Sequence, residues 1–370
     1  ISFPNYLFAQ KEVEIKLGVD VLVETDCGIV KGKRVGLLTN HAGTDKYGNL
    51  TSEILSETDS CELTAIFVPE HGFYTTIPAG EHVNDDSLFG VPVFSLYGKN
   101  KKPEQVLLDK CDIVLVDLQD IGIRSYTYLS TLYNMTDACA EHGKPLVVLD
   151  RPNPLGGMII DGGTVNKELE SFVGKIPVAY VHGCTFGEIA KMINGEGWLS
   201  RAKNGKPRQC DLTVIEMHNW QRWMNWEDTG LMWFPTSPHI PSVNAVRGAA
   251  MLGTLGELGI ISIGIGTTSP FQYLGKPGFD MERFKETLGT LSFNGIKLMP
   301  SKYRPFYGMY SGKNCDGYLL KFTMDNLFAP YSTGLKIMLA LRKTHPELFQ
   351  LGNMKSSGID MFRKVTGSKR

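Results

Sequence analysis

Two glutamates lie close together in one stretch of the chain, each followed by a histidine: Pro69-Glu70-His71-Gly72 and Gly80-Glu81-His82. Paired carboxyl groups are the working parts of glycoside hydrolysis. One protonates the leaving oxygen, and the other acts as nucleophile or activates water. A Glu in a partly buried cleft has its pKa raised toward the range of a general acid at neutral pH. Gly72 and Gly80 let the backbone turn tightly or approach a ligand. Glu70 is the leading catalytic candidate and Glu81 its expected partner. The alternative for these residues is a solvated loop whose charges are incidental.

A second dense stretch is Asp117-Leu-Gln-Asp-Ile-Gly-Ile-Arg-Ser-Tyr-Thr-Tyr128. Asp117, Gln119 and Asp120 are the residue types that bind sugar hydroxyls. Tyr126 and Tyr128 can stack on an apolar sugar face. Arg124 is suited either to fork onto a ligand carboxylate or to pair with an Asp and order the loop.

These residues need elements to position them. Val35–Thr39, Leu63–Val68, Val91–Leu96, Ile113–Asp117, Pro145–Asp150, Ile176–Val181 and Asp211–Glu216 are short aliphatic runs, the pattern of strands buried on both faces. Helical spacing falls between them. Thr127–Glu141 is followed by Gly143 as a C-cap, and Thr185 with Glu188 reads as a capping box. Such alternation predicts an α/β fold with a parallel sheet covered by helices. Ligands of such sheets bind beyond the carboxyl ends of the strands. Polar residues stand at those ends: Asn40 and His41; Glu70 and His71; Tyr97; Asp117, Gln119, Asp120 and Arg124; Asp150, Arg151 and Asn153; and His182. Singly, each can cap a helix or close a turn; as a set they gather at one edge of the sheet.

The proline-rich stretch Phe234-Pro-Thr-Ser-Pro-His-Ile-Pro241 marks a change of character. Residues 11–238 are expected to form the parallel-sheet domain, and residues 239–370 a smaller α+β domain closing the cleft. Helices are expected at Met281–Leu288 and Thr333–Arg342. The Trp220–Trp226 stretch is read as helix anchors buried in the core rather than a sugar platform.

With 370 residues, 42% hydrophobic and 21% charged, the chain can bury a large core without staples. A net charge of −1 and the lack of basic runs argue against nucleic acid or an anionic membrane as partner. Seven scattered cysteines without a C-x-x-C pair argue against a zinc ribbon or a disulfide scaffold. Nucleotide-binding glycine motifs, the G-x-S-x-G elbow and H-E-x-x-H do not occur, so no cofactor and no metal are expected. Ile1–Gln10 reads as the tail of a secretory leader, which implies a periplasmic or secreted protein.

Pro69-Glu-His-Gly-Phe73, Ala79-Gly-Glu81, the Asp117–Tyr128 stretch, Leu149-Asp-Arg-Pro-Asn-Pro154, Ser171-Phe-Val-Gly174, His182-Gly-Cys-Thr-Phe-Gly-Glu188 and Gly266-Thr-Thr-Ser-Pro-Phe271 resemble signatures of the NamZ-type exo-β-N-acetylmuramidases. The resemblance runs from about Leu17 onward. It implies a Rossmann-like N-terminal domain, a smaller C-terminal domain and an active site between them. It also implies release of N-acetylmuramic acid from the non-reducing end of peptidoglycan fragments, with Glu70 as the catalytic residue. For the second carboxyl Glu81 leads, with Asp117 and Asp120 behind it. Family members commonly read close to E-G-T-N-x-S-x-G-R-G-T-T, where this chain has Ile260 at the Asn and Ile265 at the Arg. Muramic acid carries a lactyl carboxylate. Either Arg124 or Arg151 receives that anion, or the preferred sugar differs. A carbohydrate- or muropeptide-binding paralogue without catalysis, or with altered specificity, is the alternative function, and a metal-dependent hydrolase stands third.

Overall fold

The computed structural model describes residues 14–289, 293–323 and 328–369. The leader-like first ten residues lie outside these. The first lobe is built on a seven-stranded sheet. Its strands are β1 (Arg34–Thr39), β2 (Glu62–Val68), β3 (Asp86–Leu88), β4 (Val91–Ser95), β5 (Ile113–Asp117), β6 (Leu146–Leu149) and β7 (Leu212–Ile215), in the order β3-β4-β2-β1-β5-β6-β7. All pairings are parallel except β3 with β4, an antiparallel edge. The chain winds outward from β1 to β4, then returns to place β5 on the other side of β1. That reversal makes the β1–β5 junction the switch point of a Rossmann-like doubly wound sheet.

Strand alternation explains why the sheet is covered on both faces. Phe67, Val114, Val116, Leu146 and Val148 point into one core with Leu132 and Ile189. Their chain neighbours Ile66, Val68, Leu115, Val147 and Leu149 point into the other, with Leu22 and Leu55. Every residue of β5 is buried, so its sequence reads as an unbroken apolar run ending in Asp117.

The helices of this lobe are α1 (Gly18–Glu24), α2 (Thr51–Glu57), the single turn α3 (Gln105–Leu108), α4 (Tyr128–His142) and α5 (Phe186–Gly195). Helix α4 ends on Gly143 in the left-handed region, φ 64°. Helix α5 opens with the expected capping box: the Thr185 hydroxyl accepts from the Glu188 N–H at 3.2 Å, and the Thr185 N–H donates to Glu188 at 2.9 Å. The run Ile176–Val181 is not a strand. Val181 makes only isolated bridges to Ile123 and Asp161; Ile176 and Val178 are buried in the core with Leu132 and Ile189, and Tyr180 and Val181 against Ile121, Leu155 and Ile240. A short apolar run records burial, not strand pairing. The Trp220–Trp226 stretch holds no α-helix; a 3-10 turn begins at Trp226, whose ring meets Trp233 edge-on at 5.0 Å.

The second lobe carries an antiparallel three-stranded sheet, β8 (Tyr273–Lys276), β10 (Cys315–Phe322) and β9 (Ile296–Tyr303), ordered β8-β10-β9. It packs with α6 (Val243–Glu257), α7 (Met281–Leu288), α8 (Pro330–Thr344) and α9 (Ser356–Thr366) around Leu252, Phe284, Leu320 and Leu341. This is the smaller α+β unit. Helix α6 is disguised by its glycines. They serve close packing: a Cβ at Gly248 would lie 2.1 Å from the Phe271 carbonyl oxygen. On α8, a Cβ at Gly334 would lie 2.0 Å from the Met251 carbonyl oxygen of α6.

The lobes share a core. Ile121, Ile123, Leu155 and Tyr180 from the first pack with Ile240, Val246, Ala249, Ala250 and Val365 from the second. The connector Phe234–Pro241 is fastened to the first lobe. Tyr126 and Tyr128 both donate to the Thr236 carbonyl, at 2.8 and 2.7 Å, and His41 Nε2 lies 2.9 Å from the Pro235 carbonyl.

Candidate active site

At the tips of β1, β5 and β6 the polar side chains bind one another. Asp117 (0% exposed) and Arg151 (4%) form a buried two-pronged ion pair. The Thr51 hydroxyl donates to the same carboxylate, and Arg151 reaches on to the Thr44 carbonyl. Arg151 also borders a small void of about 10 Å³, lined with Thr44, Gln119 and Trp226 among others. At the switch point, where a doubly wound fold takes its ligand, these two side chains are thus buried and bonded to protein.

The neighbouring tips behave alike. The Asn40 amide donates to the Tyr128 hydroxyl at 2.8 Å and accepts from the Ala42 N–H at 3.0 Å. Gln119 donates to the Asp120 and Pro152 carbonyls, and Asp120 accepts from the Gly122 N–H at 2.8 Å. His182 Nε2 faces Asp120 at 3.2 Å, while its Nδ1 accepts the Cys184 N–H. Asn153 donates to the Cys184 carbonyl and accepts from the Leu155 N–H. Arg124 is wholly buried and donates to the carbonyls of Gly163, Val178 and Val365 at 2.6, 2.9 and 2.9 Å. Neither Arg124 nor Arg151 is placed to meet a ligand carboxylate.

The open space lies beside the tip of β2. A cavity of about 850 Å³ runs between the lobes, a volume fit for a small sugar chain. Of the residues expected from the sequence, it is lined by Glu70, His71 and Tyr126, with Tyr97 beside them. Asn40, Asp117, Gln119, Asp120, Arg124, Tyr128, Asp150, Arg151, Asn153 and His182 form the buried support around it. Glu81 does not line the cavity; its residue is exposed on the loop beyond Gly80.

Glu70 is buried at the end of β2, and each of its oxygens is held. Oε1 accepts the Gly80 N–H at 2.9 Å, and Oε2 accepts the Thr127 hydroxyl at 2.7 Å. Tyr97 stands beside it, and burial followed by this negative neighbour pushes the Tyr97 pKa well up. Thr127 is the N-cap residue of α4. The loop after Glu70 turns sharply: His71 has φ 76° and Gly72 φ 73°. A non-glycine residue in that region stores backbone strain of about 1–3 kcal/mol, which surrounding structure must hold. Here the His71 ring supplies the hold, with Nδ1 2.7 Å from the Ile77 carbonyl and the ring stacked on Tyr126 at 6.4 Å. Burial lowers the His71 pKa. The ring is therefore neutral, with Nδ1–H donating and Nε2 left as an acceptor.

Glu257, at the end of α6, also lines the cavity. Its residue is exposed at the cavity rim, yet the protein atoms around the carboxyl desolvate it and raise its pKa, with no charged partner to offset this. Glu257 was not among the candidates read from the sequence. The signal was a single acid closing an otherwise apolar, glycine-rich run. Ile261, Ile263, Ile265, Phe271 and Met309 give the cavity an apolar second-lobe face, while Ser237, His239, Lys101 and Lys364 add polar groups to its lining. Ile265 faces the cavity as expected for a residue at a ligand-contacting position. Ile260 does not; it is buried in the second-lobe core. No group of three or more His, Cys, Asp or Glu side chains is placed to hold a metal among the described residues.

Fold and cleft define a two-lobed α/β protein with a carboxylate set in a sugar-sized hollow. A family model described as exo-beta-N-acetylmuramidase NamZ, N-terminal, matches residues 35–244, and its C-terminal companion matches residues 250–370. The chain belongs to this NamZ family. It is 37% identical over 342 residues to the peptidoglycan beta-N-acetylmuramidase NamZ of Bacillus subtilis strain 168, covering 92% of this chain and 80% of that one. A crystal structure of a DUF1343 family protein from Bacteroides fragilis superposes with TM-score 0.88 at 37% identity, covering 96% of this chain and 90% of that one. A second such protein from the same organism gives 0.71 at 29% identity, covering 96% and 89%.

Two predictions follow from the support beneath the cavity. Replacing Asp117 by Ala leaves the Arg151 guanidinium buried without its counter-charge, and is expected to cost about 3–5 kcal/mol of stability; chemical denaturation measures it, and a loss below about 1 kcal/mol would show the pair to be dispensable. Asp150 accepts from the Gly187 and Arg151 N–H groups and the Thr185 hydroxyl, yet burial raises its pKa from 3.8 to about 6. The folded state then holds this proton more tightly than the unfolded state. The stabilisation from Asp150 is full below pH 3.8 and lost as the pH rises to about 6. Denaturation midpoints of wild type minus Asp150→Asn should fall across that interval, and a flat difference curve would contradict the assignment.

Proposed function

We propose that the protein is an exo-acting glycosidase that releases N-acetylmuramic acid from the non-reducing end of peptidoglycan fragments. Family membership supports this reading, and one observation of the site carries it. Glu70 is fixed by two donors, one on each oxygen, and presented to a cavity that a sugar can enter, while the other strand-tip acids are tied up in buried bonds. A carboxyl group oriented in this way is suited to proton transfer or attack at the anomeric centre. His71 and Tyr126 form the adjoining wall, and the aliphatic face from the second lobe excludes water from the sugar ring.

The second carboxyl of the pair is Glu257 in this reading, not Glu81. Among the described residues, Glu70 and Glu257 are the acids that line the cavity. Glu257 enters from the second lobe and retains its proton to higher pH than an ordinary glutamate. A location outside the cytoplasmic membrane belongs to the same proposal, because peptidoglycan is there. The binding-paralogue alternative gains no particular support from the site.

Glu70→Gln keeps shape and removes the acid. It is expected to lower kcat on a chromogenic β-N-acetylmuramide by roughly a hundred- to ten-thousand-fold, and near-wild-type turnover would remove Glu70 from the chemistry. Glu257→Gln should lower kcat and also abolish the alkaline limb of the pH–rate profile, since a required proton on Glu257 is lost as the pH rises through its raised pKa. A variant with an unchanged kcat and pH profile would place Glu257 outside the reaction.

A further inference from the structure

Lys101 lines the cavity with its charge uncommitted. Four carboxylate or ammonium side chains line this space: Glu70, Glu257, Lys101 and Lys364. Lys364 is paired with Asp360 at 2.6 Å, one helical turn away on α9. Lys102, next in the chain, is bound to Asp137 at 2.6 Å and Glu141 at 2.7 Å on α4. Lys101 has no ion pair and no side-chain hydrogen bond among the described residues. Its backbone is nonetheless fixed, since the Asn134 amide donates to its carbonyl at 2.8 Å. Its ammonium stands 4.5 Å from the centre of the Phe172 ring and 5.8 Å from that of Tyr97, two rings that are 5.9 Å apart.

This is a cation on an aromatic shelf. The rings attract the ammonium and pack its aliphatic stem without neutralising it. Tyr97 is also the residue whose pKa the neighbouring Glu70 carboxylate, after burial, helps to raise. The cation, this tyrosine and the catalytic carboxyl thus line the same cavity. A substrate anion entering here meets two acids and needs a positive group to offset them. Arg124 and Arg151 are engaged elsewhere, and the second-lobe wall at Ile265 offers no charge.

We infer that Lys101 receives the lactyl carboxylate of the muramic acid unit bound at Glu70, and so determines selection of that sugar over N-acetylglucosamine. The inference rests on the muramidase reading above. An ammonium beside a half-open cavity distinguishes an anionic sugar from its neutral counterpart by charge alone, and the contact weakens with added salt.

The test uses the intact chain with matched chromogenic β-glycosides of N-acetylmuramic acid and N-acetylglucosamine, in wild type, Lys101→Met and Lys101→Arg. On the muramide, Lys101→Met should raise KM by about tenfold with kcat nearly unchanged, and Lys101→Arg should recover most of the loss. Added sodium chloride should raise KM for wild type more than for Lys101→Met. The neutral glycoside, if turned over, should be indifferent to both substitutions. An unchanged KM for the muramide in Lys101→Met, or an equal loss on the two sugars, overturns the inference. Should wild type cleave neither glycoside, the hydrolase reading fails separately, and calorimetry with free N-acetylmuramic acid then decides Lys101. Binding about tenfold weaker in Lys101→Met upholds its role; equal binding, or none by wild type, overturns it.

Discussion

The buried pair of Asp117 and Arg151 sets the terms for everything around it. It joins the end of β5 to the end of β6, and through Thr44 and Thr51 it ties in the loop after β1 and the start of α2. Charges held this far from water are costly unless each has its counter-charge and its remaining hydrogen bonds. Here both conditions are met. The pair fills the notch between β1 and β5 that a doubly wound sheet ordinarily offers to a ligand, and working space opens one strand further out, beside β2 and against the second lobe.

That displacement divides labour between the lobes. The first supplies an acid with oriented donors, a neutral imidazole and phenols, all set on strand ends or the start of α4. The second supplies mostly aliphatic surface and one acid at the end of α6. A few fixed polar groups within an apolar enclosure are what ligand recognition requires. Low polarity around them also strengthens each charge–dipole contact they make.

Much of the first lobe was legible because its strands are buried on both faces. Ile113–Asp117 reads as a strand wherever it is met. Gly143 and the Thr185–Glu188 pair declare helix ends through local chemistry that needs no partner far away. Ile176–Val181 has equal apolar content but no strand beside it, and composition does not encode neighbours. The site was legible only in part. Glu70 stood out by type and position. Asp117, Arg151 and Arg124 carry the same chemical vocabulary, and what separates a ligand group from a structural one is its partner. For Arg124 that partner is Val365, 241 residues away in the chain. Glu257 was hidden for the converse reason: nothing near it in sequence looks polar enough to mark a site.

Arg124 also governs how the molecule can move. Its guanidinium binds carbonyls of Gly163 and Val178 in the first lobe and of Val365 on α9 in the second. Swinging the lobes apart about the Phe234–Pro241 segment would strip a buried cation of an acceptor and tear the shared apolar seam at Tyr180 and Ala249. The cleft is thus a moulded vessel rather than a jaw. A glycan chain has to thread its terminal unit into a shape that already exists, which favours chain ends over internal links.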